Sequence, residues 1–182
     1  MVNSKSAYSV AGKKQRNDTH IIVVWVDNEA GVLARVVGLF SGRGYNIESL
    51  AVAEVDQKQN ISRITIVTTG TPQVIDQIKL QLKKLVPVHK VADFKREDKN
   101  VIFKEMALFK FVANNKKLIS ALNACRNYNP VVLDQTKKSQ VIQITALRRE
   151  IDKMSKNLTK FGLVSVSRTG AVAMTRGSDV FK

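Results

Sequence analysis

Residues 27–33 read Asp-Asn-Glu-Ala-Gly-Val-Leu, and residues 41–50 read Ser-Gly-Arg-Gly-Tyr-Asn-Ile-Glu-Ser-Leu. A short apolar run rich in isoleucine and valine, residues 20–26, leads into the first stretch and predicts a buried strand. Between the two stretches, apolar residues recur at helical spacing. The glycines at 42 and 44 are typical of a helix end, where a positive φ is often needed. The region therefore predicts a strand, a turn and a helix, in that order.

The predicted turn leaves the N-terminus of the helix open beside Asn28. First-turn N–H groups have no partner inside a helix, so they can bind an anion such as the carboxylate of a small ligand. Asn28 could instead cap the helix, and Gly31 could be present only because the turn requires glycine. Asn46 and Ile47 follow the helix where the chain re-enters the predicted sheet, so they put one polar and one apolar group near a possible pocket.

Further along the first half, strands are predicted over residues 49–55, 61–69 and 88–94. Thr71 and Pro72 predict the start of a second helix, with Thr71 as its N-cap. The resulting order, strand-helix-strand-strand-helix-strand, is the ferredoxin-like arrangement. The second half repeats it more loosely, and its last strand is predicted to start at residues 163–166.

The predicted fold class is α+β, with two tandem ferredoxin-like (βαββαβ) domains. Residues 1–19 are expected to be a disordered tail and residues 20–94 the first domain. A linker is expected at residues 95–100, followed by the second domain at residues 101–182.

Composition limits the possible functions of the chain. The 182 residues carry a net charge of +15, and 18 basic against 8 acidic residues lie from Asp93 onwards. Such an excess attracts an acidic partner, although a solvated basic surface explains it equally well. The single Cys125 excludes an intrachain disulfide and favours a reducing cytosol. No segment has the apolar length needed to cross a membrane.

The sequence predicts no catalytic residue and no metal site. Only His20 and His89 could exchange protons near neutral pH without a perturbed pKa, and neither has a carboxylate or a nucleophile at a telling spacing. Cys125 has no activating pattern around it and is expected to pack inside the protein. No cluster of cysteine and histidine has the spacing of a zinc site.

The two quoted stretches resemble the ACT domain of the acetohydroxyacid synthase (acetolactate synthase) small regulatory subunit. The string Gly-Tyr-Asn-Ile-Glu-Ser-Leu at residues 44–50 is the most specific part of the resemblance. It continues through residues 62–67 and 77–91 and returns at residues 168–170 and 175–177. The resemblance therefore covers nearly the whole chain.

The resemblance implies a homodimer whose ACT domains hold a branched-chain amino acid, most often valine, between two copies. Asn28 and the backbone after Gly31 would meet the ammonium and carboxylate groups of the effector. The apolar side of the site would be lined by Val32 and Leu33, while the facing copy would contribute Asn46 and Ile47.

The resemblance also implies a partner. The chain would be a cytoplasmic, non-catalytic subunit without a cofactor of its own. It would activate a catalytic large subunit that uses thiamine diphosphate, magnesium and FAD, and it would make that enzyme sensitive to feedback.

Two alternatives remain open at this point. The first is a free-standing ACT-domain amino-acid sensor with another target. The second is an RNA-binding protein, because RNA-recognition motifs share the strand order, but these modules stack bases on exposed aromatic residues. The first strand offers only Trp25, and Phe103, Phe109 and Phe111 lie on one face of an alternating strand, which favours burial. The sequence therefore disfavours nucleic acid.

Overall fold

The computed structural model describes residues 17–178, which form two antiparallel sheets, each covered by helices. The first half contains four strands and two helices, namely β1 (Asp18–Asp27), α1 (Val32–Gly42), β2 (Ser49–Asp56), β3 (Ile61–Gly70), α2 (Pro72–Leu82) and β4 (Val88–Lys95). The second half contains five strands and two helices, namely β5 (Val101–Val112), α3 (Asn115–Ala124), β6 (Val131–Gln135), β7 (Ser139–Ala146), α4 (Arg148–Asn157), β8 (Leu163–Arg168) and β9 (Val172–Thr175).

The two sheets have the same strand order. In the first half the order is β2-β3-β1-β4, and in the second it is β6-β7-β5-β8, with β9 added beside β5. Each half therefore builds a four-stranded antiparallel sheet with two helices, and the prediction of two tandem ferredoxin-like domains is confirmed.

Strand β1 is buried on both faces, which explains why its sequence does not alternate. One face contributes Ile22 and Val24 to the core beneath α1 and α2. The other contributes Ile21 and Val23 to a second cluster, which also includes Ala173 of β9. The second half thus covers the open face of the first sheet.

The two ends of strand β5 pack against different halves of the molecule. Its first four residues pair with β9, from Val101 opposite Thr175 to Lys104 opposite Val172. Its later residues pair with β7 and β8, and there Phe109 and Phe111 are buried in the core of the second half.

Several predicted boundaries need correction. Strand β1 begins at Asp18, two residues before the predicted start, because Asp18 and Thr19 still pair with the end of β3. Strand β4 continues to Lys95, which pairs with His20, so Lys95 belongs to the sheet and not to the linker. The rest of the predicted N-terminal tail, residues 1–16, lies outside the described residues.

The largest departure is at the end of the chain. The predicted last strand begins at Leu163 and runs as β8 to Arg168, but after an interruption at Gly170 the chain pairs with β5 again as β9, a strand that was not predicted. Helix α4 stops at Asn157, and a separate 3-10 turn over Thr159–Phe161 leads into β8.

Candidate functional site

The turn between β1 and α1 leaves the N-terminus of α1 open. Gly31 occupies the N-cap position with φ +85°, and no side chain caps the helix. The amides of Leu33 and Ala34 donate to no other residue within 17–178. A φ in this range favours glycine, so Gly31 is required by the turn itself. The predicted open helix terminus is confirmed.

Asn28 is held in place beside this terminus, but it does not cap the helix. Its Oδ1 atom accepts a hydrogen bond of 3.0 Å from the hydroxyl of Ser62, whose residue is only 5% exposed. Its backbone N–H donates to the carbonyl of Asn60 at 2.7 Å. The Nδ2 amide donates to no residue within 17–178, so it is the donor that Asn28 can offer to a ligand.

The two apolar residues predicted for the site have different environments. Val32 is buried with Val36 and Phe40 in the core of the first half, so its side chain offers little surface to a ligand. The reason is helical periodicity, since these three residues share one face of α1. Leu33 is 41% exposed and remains available beside the open amides.

Asn46 and Ile47 lie at the opposite end of the sheet from Asn28. The carbonyl of Asn46 accepts a hydrogen bond of 2.7 Å from Thr68, which pairs with His20 near the start of β1. Asn28 follows the end of the same strand. Asn46 lies level with His20, and Asn28 is eight residues further along the same extended chain. At about 3.3 Å per residue, Asn28 and Asn46 are therefore roughly 26 Å apart along the strand direction. One copy of the chain therefore does not bring Asn28 and Asn46 together.

Between these two groups runs β2, which forms the outer edge of the first sheet. Within the described part of the chain β2 pairs only with β3. Val52 and Val55 of this strand are exposed. An edge strand of this kind presents unpaired backbone groups to a second chain.

Both histidines have carboxylate partners that the sequence did not reveal. His20 Nδ1 lies 2.7 Å from Asp93 Oδ1, and His89 Nε2 contacts Asp27 at 2.5 Å. Lys79 Nζ lies 3.4 Å from the other oxygen of Asp93. A hydrogen bond to Asp76, with Asp93 adding to it, raises the pKa of Lys79. These pairs connect β1, β4 and α2 within the first half.

Cys125 has the packing role predicted from the sequence. It is buried in the core of the second half, and burial raises the pKa of its thiol to about 11. The thiol therefore stays protonated near neutral pH. Among residues 17–178, no three histidine, cysteine or acidic side chains cluster as metal ligands would.

As for membranes, none of the helices described here is both long and apolar enough to span one.

Sequence comparison agrees with this architecture. A profile of the AHAS small subunit-like ACT domain matches residues 22–90, so the first half is an ACT domain. A profile of the small subunit of acetolactate synthase matches residues 104–177. The acetolactate synthase small subunit of Mycobacterium bovis is 35% identical over 159 residues, which cover 87% of this chain and 93% of that protein. The corresponding protein of Aquifex aeolicus is 38% identical over 158 residues, which cover 86% and 81%.

A solved structure shows the same fold. The acetolactate synthase small subunit from Thermotoga maritima matches with a TM-score of 0.78 and 31% identity, over 88% of this chain and 99% of that one. The chain belongs to the acetolactate synthase small subunit family. The resemblance seen in the sequence is confirmed, and Phe109 and Phe111 are fully buried, as the alternation of their strand predicted.

Proposed function

We propose that this chain is the regulatory, non-catalytic subunit of acetolactate synthase. It activates the catalytic large subunit and makes that enzyme sensitive to feedback by a branched-chain amino acid, valine. The effector lies between the ACT domains of a homodimer. The observation that carries this proposal is the position of Asn28 and Asn46 at opposite ends of β2, an edge strand whose outer side pairs with no other strand among residues 17–178.

Antiparallel pairing of β2 with β2 of a second copy would complete the site. The register puts Ser49, at the start of β2, level with Ile21, and puts Asp56, at its end, level with Asp27. In an antiparallel pair the start of one β2 lies beside the end of the other. Asn46 of the second copy would then come to the level of Asn28, which a single chain holds roughly 26 Å away.

The chemistry of the two groups suits an amino acid. The open amides of Leu33 and Ala34, with Nδ2 of Asn28, are donors for its carboxylate. The exposed side chain of Asn46 offers an oxygen to its ammonium group. Leu33 and Ile47 supply apolar surface, and full burial of a valine side chain contributes about 1.5–3 kcal/mol. Such a pocket discriminates well against glycine and only weakly against leucine.

An effector that bridges two copies can control a distant partner. It binds one dimer geometry better than another, and therefore shifts the population that the catalytic subunit contacts. In this scheme the large subunit carries the thiamine diphosphate, magnesium and FAD, the present chain contributes no cofactor, and both act in the cytoplasm.

The sharpest test replaces Asn28 with aspartate. Asn28→Ala would leave the buried Ser62 hydroxyl without its acceptor and so destabilise the fold. A loss of valine binding in that variant could then come from either the missing ligand contact or the lower stability. Asn28→Asp keeps that acceptor but replaces the Nδ2 donor with a negatively charged oxygen. We expect valine affinity in calorimetry to fall by about tenfold or more, because a hydrogen bond to a charged group contributes about 1.5–3 kcal/mol. Asn123→Asp, the same change at an exposed residue of α3, is the matched control and should retain valine binding.

The same variant separates feedback from activation. In enzyme reconstituted with the large subunit, Asn28→Asp should abolish inhibition by valine and leave activation largely intact. Ordinary valine sensitivity in this variant would refute the site. Sedimentation of the wild type should show a dimer, and a monomer at micromolar concentration with valine present would refute the bridging mechanism. Valine binding without any activation of a large subunit would favour a free-standing amino-acid sensor.

A further inference from the structure

The second half of the chain contacts the loop that carries Asn46 and Ile47. Arg148, the first residue of α4, donates from its guanidinium to the carbonyl oxygen of Glu48 at 3.1 Å. The same guanidinium lies 3.9 Å from the Glu48 carboxylate. Both side chains are about three-quarters shielded from solvent, so water competes only partly for this contact. We call residues 46–48 the effector loop.

A second contact lies immediately after the effector loop. The amide of Ala171 donates to the hydroxyl of Ser49 at 3.3 Å. Gly170 has φ +80°, and a Cβ atom there would lie 2.8 Å from the Ser49 hydroxyl and 3.2 Å from the Leu50 carbonyl. The junction between β8 and β9 can therefore approach the start of β2 this closely only with glycine at position 170.

On its other side, the effector loop is bound by its own sheet. Thr68 donates to the carbonyl of Asn46 at 2.7 Å, and the amide of Glu48 donates to the carbonyl of Val67 at 2.8 Å. The backbone of the effector loop thus forms hydrogen bonds with residues of both halves of the molecule. The Asn46 side chain takes no part in these contacts and stays exposed, as a ligand-binding group must.

We propose that Arg148 is a positioning residue for the effector site. By holding the Glu48 carbonyl, it keeps the effector loop in the conformation that presents Asn46 and Ile47 to the ligand. Apparent affinity falls in proportion to the fraction of molecules in the competent conformation, so a contact that maintains this fraction strengthens binding without touching the ligand. This inference rests on the proposed function.

The contact also gives the second half a way to respond to the effector. Linkage is reciprocal, so a contact that favours ligand binding must itself be favoured by the bound ligand. Occupation of the ACT site therefore tightens α4 against the effector loop. The second half senses the effector although it contributes no atom to the site.

Arg148→Ala tests this role, with Arg149→Ala as the matched control. Arg149 lines the same cleft of about 470 Å³ between the two halves, but its side chain has no partner in the described part of the chain. In calorimetry with the full-length protein, Arg148→Ala should bind valine about threefold to tenfold more weakly, the loss expected when a partly exposed hydrogen bond from a charged donor is removed. Arg149→Ala should bind like the wild type. Arg148→Lys should recover part of the affinity, because an ammonium can still donate to the carbonyl.

Hydrogen exchange measures the positioning without any ligand. In Arg148→Ala the amides of residues 44–51 should exchange faster than in the wild type, while the melting temperature of the protein stays nearly the same. Exchange rates equal to those of the wild type would overturn the proposal, because its own sheet would then hold the loop unaided. Equal losses of valine affinity in both alanine variants would also overturn it, since the cause would be the charge of the cleft. A wild type that binds no valine would refute the proposed function, and the exchange rates would still decide whether Arg148 positions the loop.

Discussion

Replacing Arg168 with methionine should destabilise the second half strongly. Glu105 lies on β5, is 2% exposed, and receives two hydrogen bonds from Arg168, each of 2.7 Å. A third hydrogen bond of 2.6 Å joins Arg168 to Asp152 of α4. The hydrogen bonds with Glu105 are the main reason that the pKa of Arg168 is raised. Without the guanidinium, the Glu105 carboxylate would remain buried and unpaired.

The size of the effect follows from the burial of the two partners. Removing one member of a buried ion pair costs about 3–5 kcal/mol. The Arg168 side chain is 29% exposed, so we expect a value near the lower end, about 3 kcal/mol. For a chain of this length, each kcal/mol lowers the melting temperature by about 2–4 °C, which gives a loss of about 6–12 °C.

The assay is urea unfolding followed by circular dichroism, with two further variants. The double variant Glu105→Leu with Arg168→Met should recover most of the lost stability, because apolar replacement of a whole buried pair is often neutral. Asp152→Asn removes only the partly exposed contact and should cost less than about 1 kcal/mol. The reasoning would be refuted if Arg168→Met cost less than 1 kcal/mol, or if the double variant were as unstable as the single one.

Three further expectations concern other parts of the molecule. Gly38 lies inside α1 with open space around it, so Gly38→Ala should raise the free energy of unfolding by about 0.5–1 kcal/mol. Gly162→Ala should lower the free energy of unfolding, because Gly162 has φ +89° and a Cβ there would lie 2.7 Å from the carbonyl oxygen of Val112. Urea unfolding of the two variants measures both changes. Cys125 should resist iodoacetamide at pH 8 in the folded protein and react readily in urea. Burial raises its pKa from 9.0 to about 11, so its protonated thiol favours the folded state below pH 9 and this contribution is lost as the pH rises through 11. Phe40→Ala should cost about 3–5 kcal/mol in thermal unfolding, because the ring is fully buried in the first core.

The elements that local chemistry determines could be predicted from the sequence. Thr71 accepts from the amide of Val74 and precedes Pro72 at the first helical position, as predicted. Helix α1 begins at Val32 and ends at Gly42 because its periodicity and its glycines both act within a few residues. The open N-terminus of α1 was predictable for the same reason.

The features that depend on distant residues could not be predicted. The sequence left open whether Asn28 caps the helix, and its side chain in fact accepts a hydrogen bond from Ser62, which lies 34 residues further along the chain. The partner of His20 is Asp93, at a separation of 73 residues. Strand β9 escaped notice because Gly170 interrupts the pattern, and only the pairing with β5 defines it. No periodicity within a short window contains this information.

Strand β5 has a practical consequence for anyone who wishes to express the ACT half alone. Its first four residues, together with β9, pack over Ile21, Val23 and Val67 and shield them from water. A fragment that stops at Lys95 would expose these side chains to water as a bare apolar patch, which invites aggregation. We expect such a fragment to stay soluble without aggregating only when polar side chains replace the apolar ones of this patch.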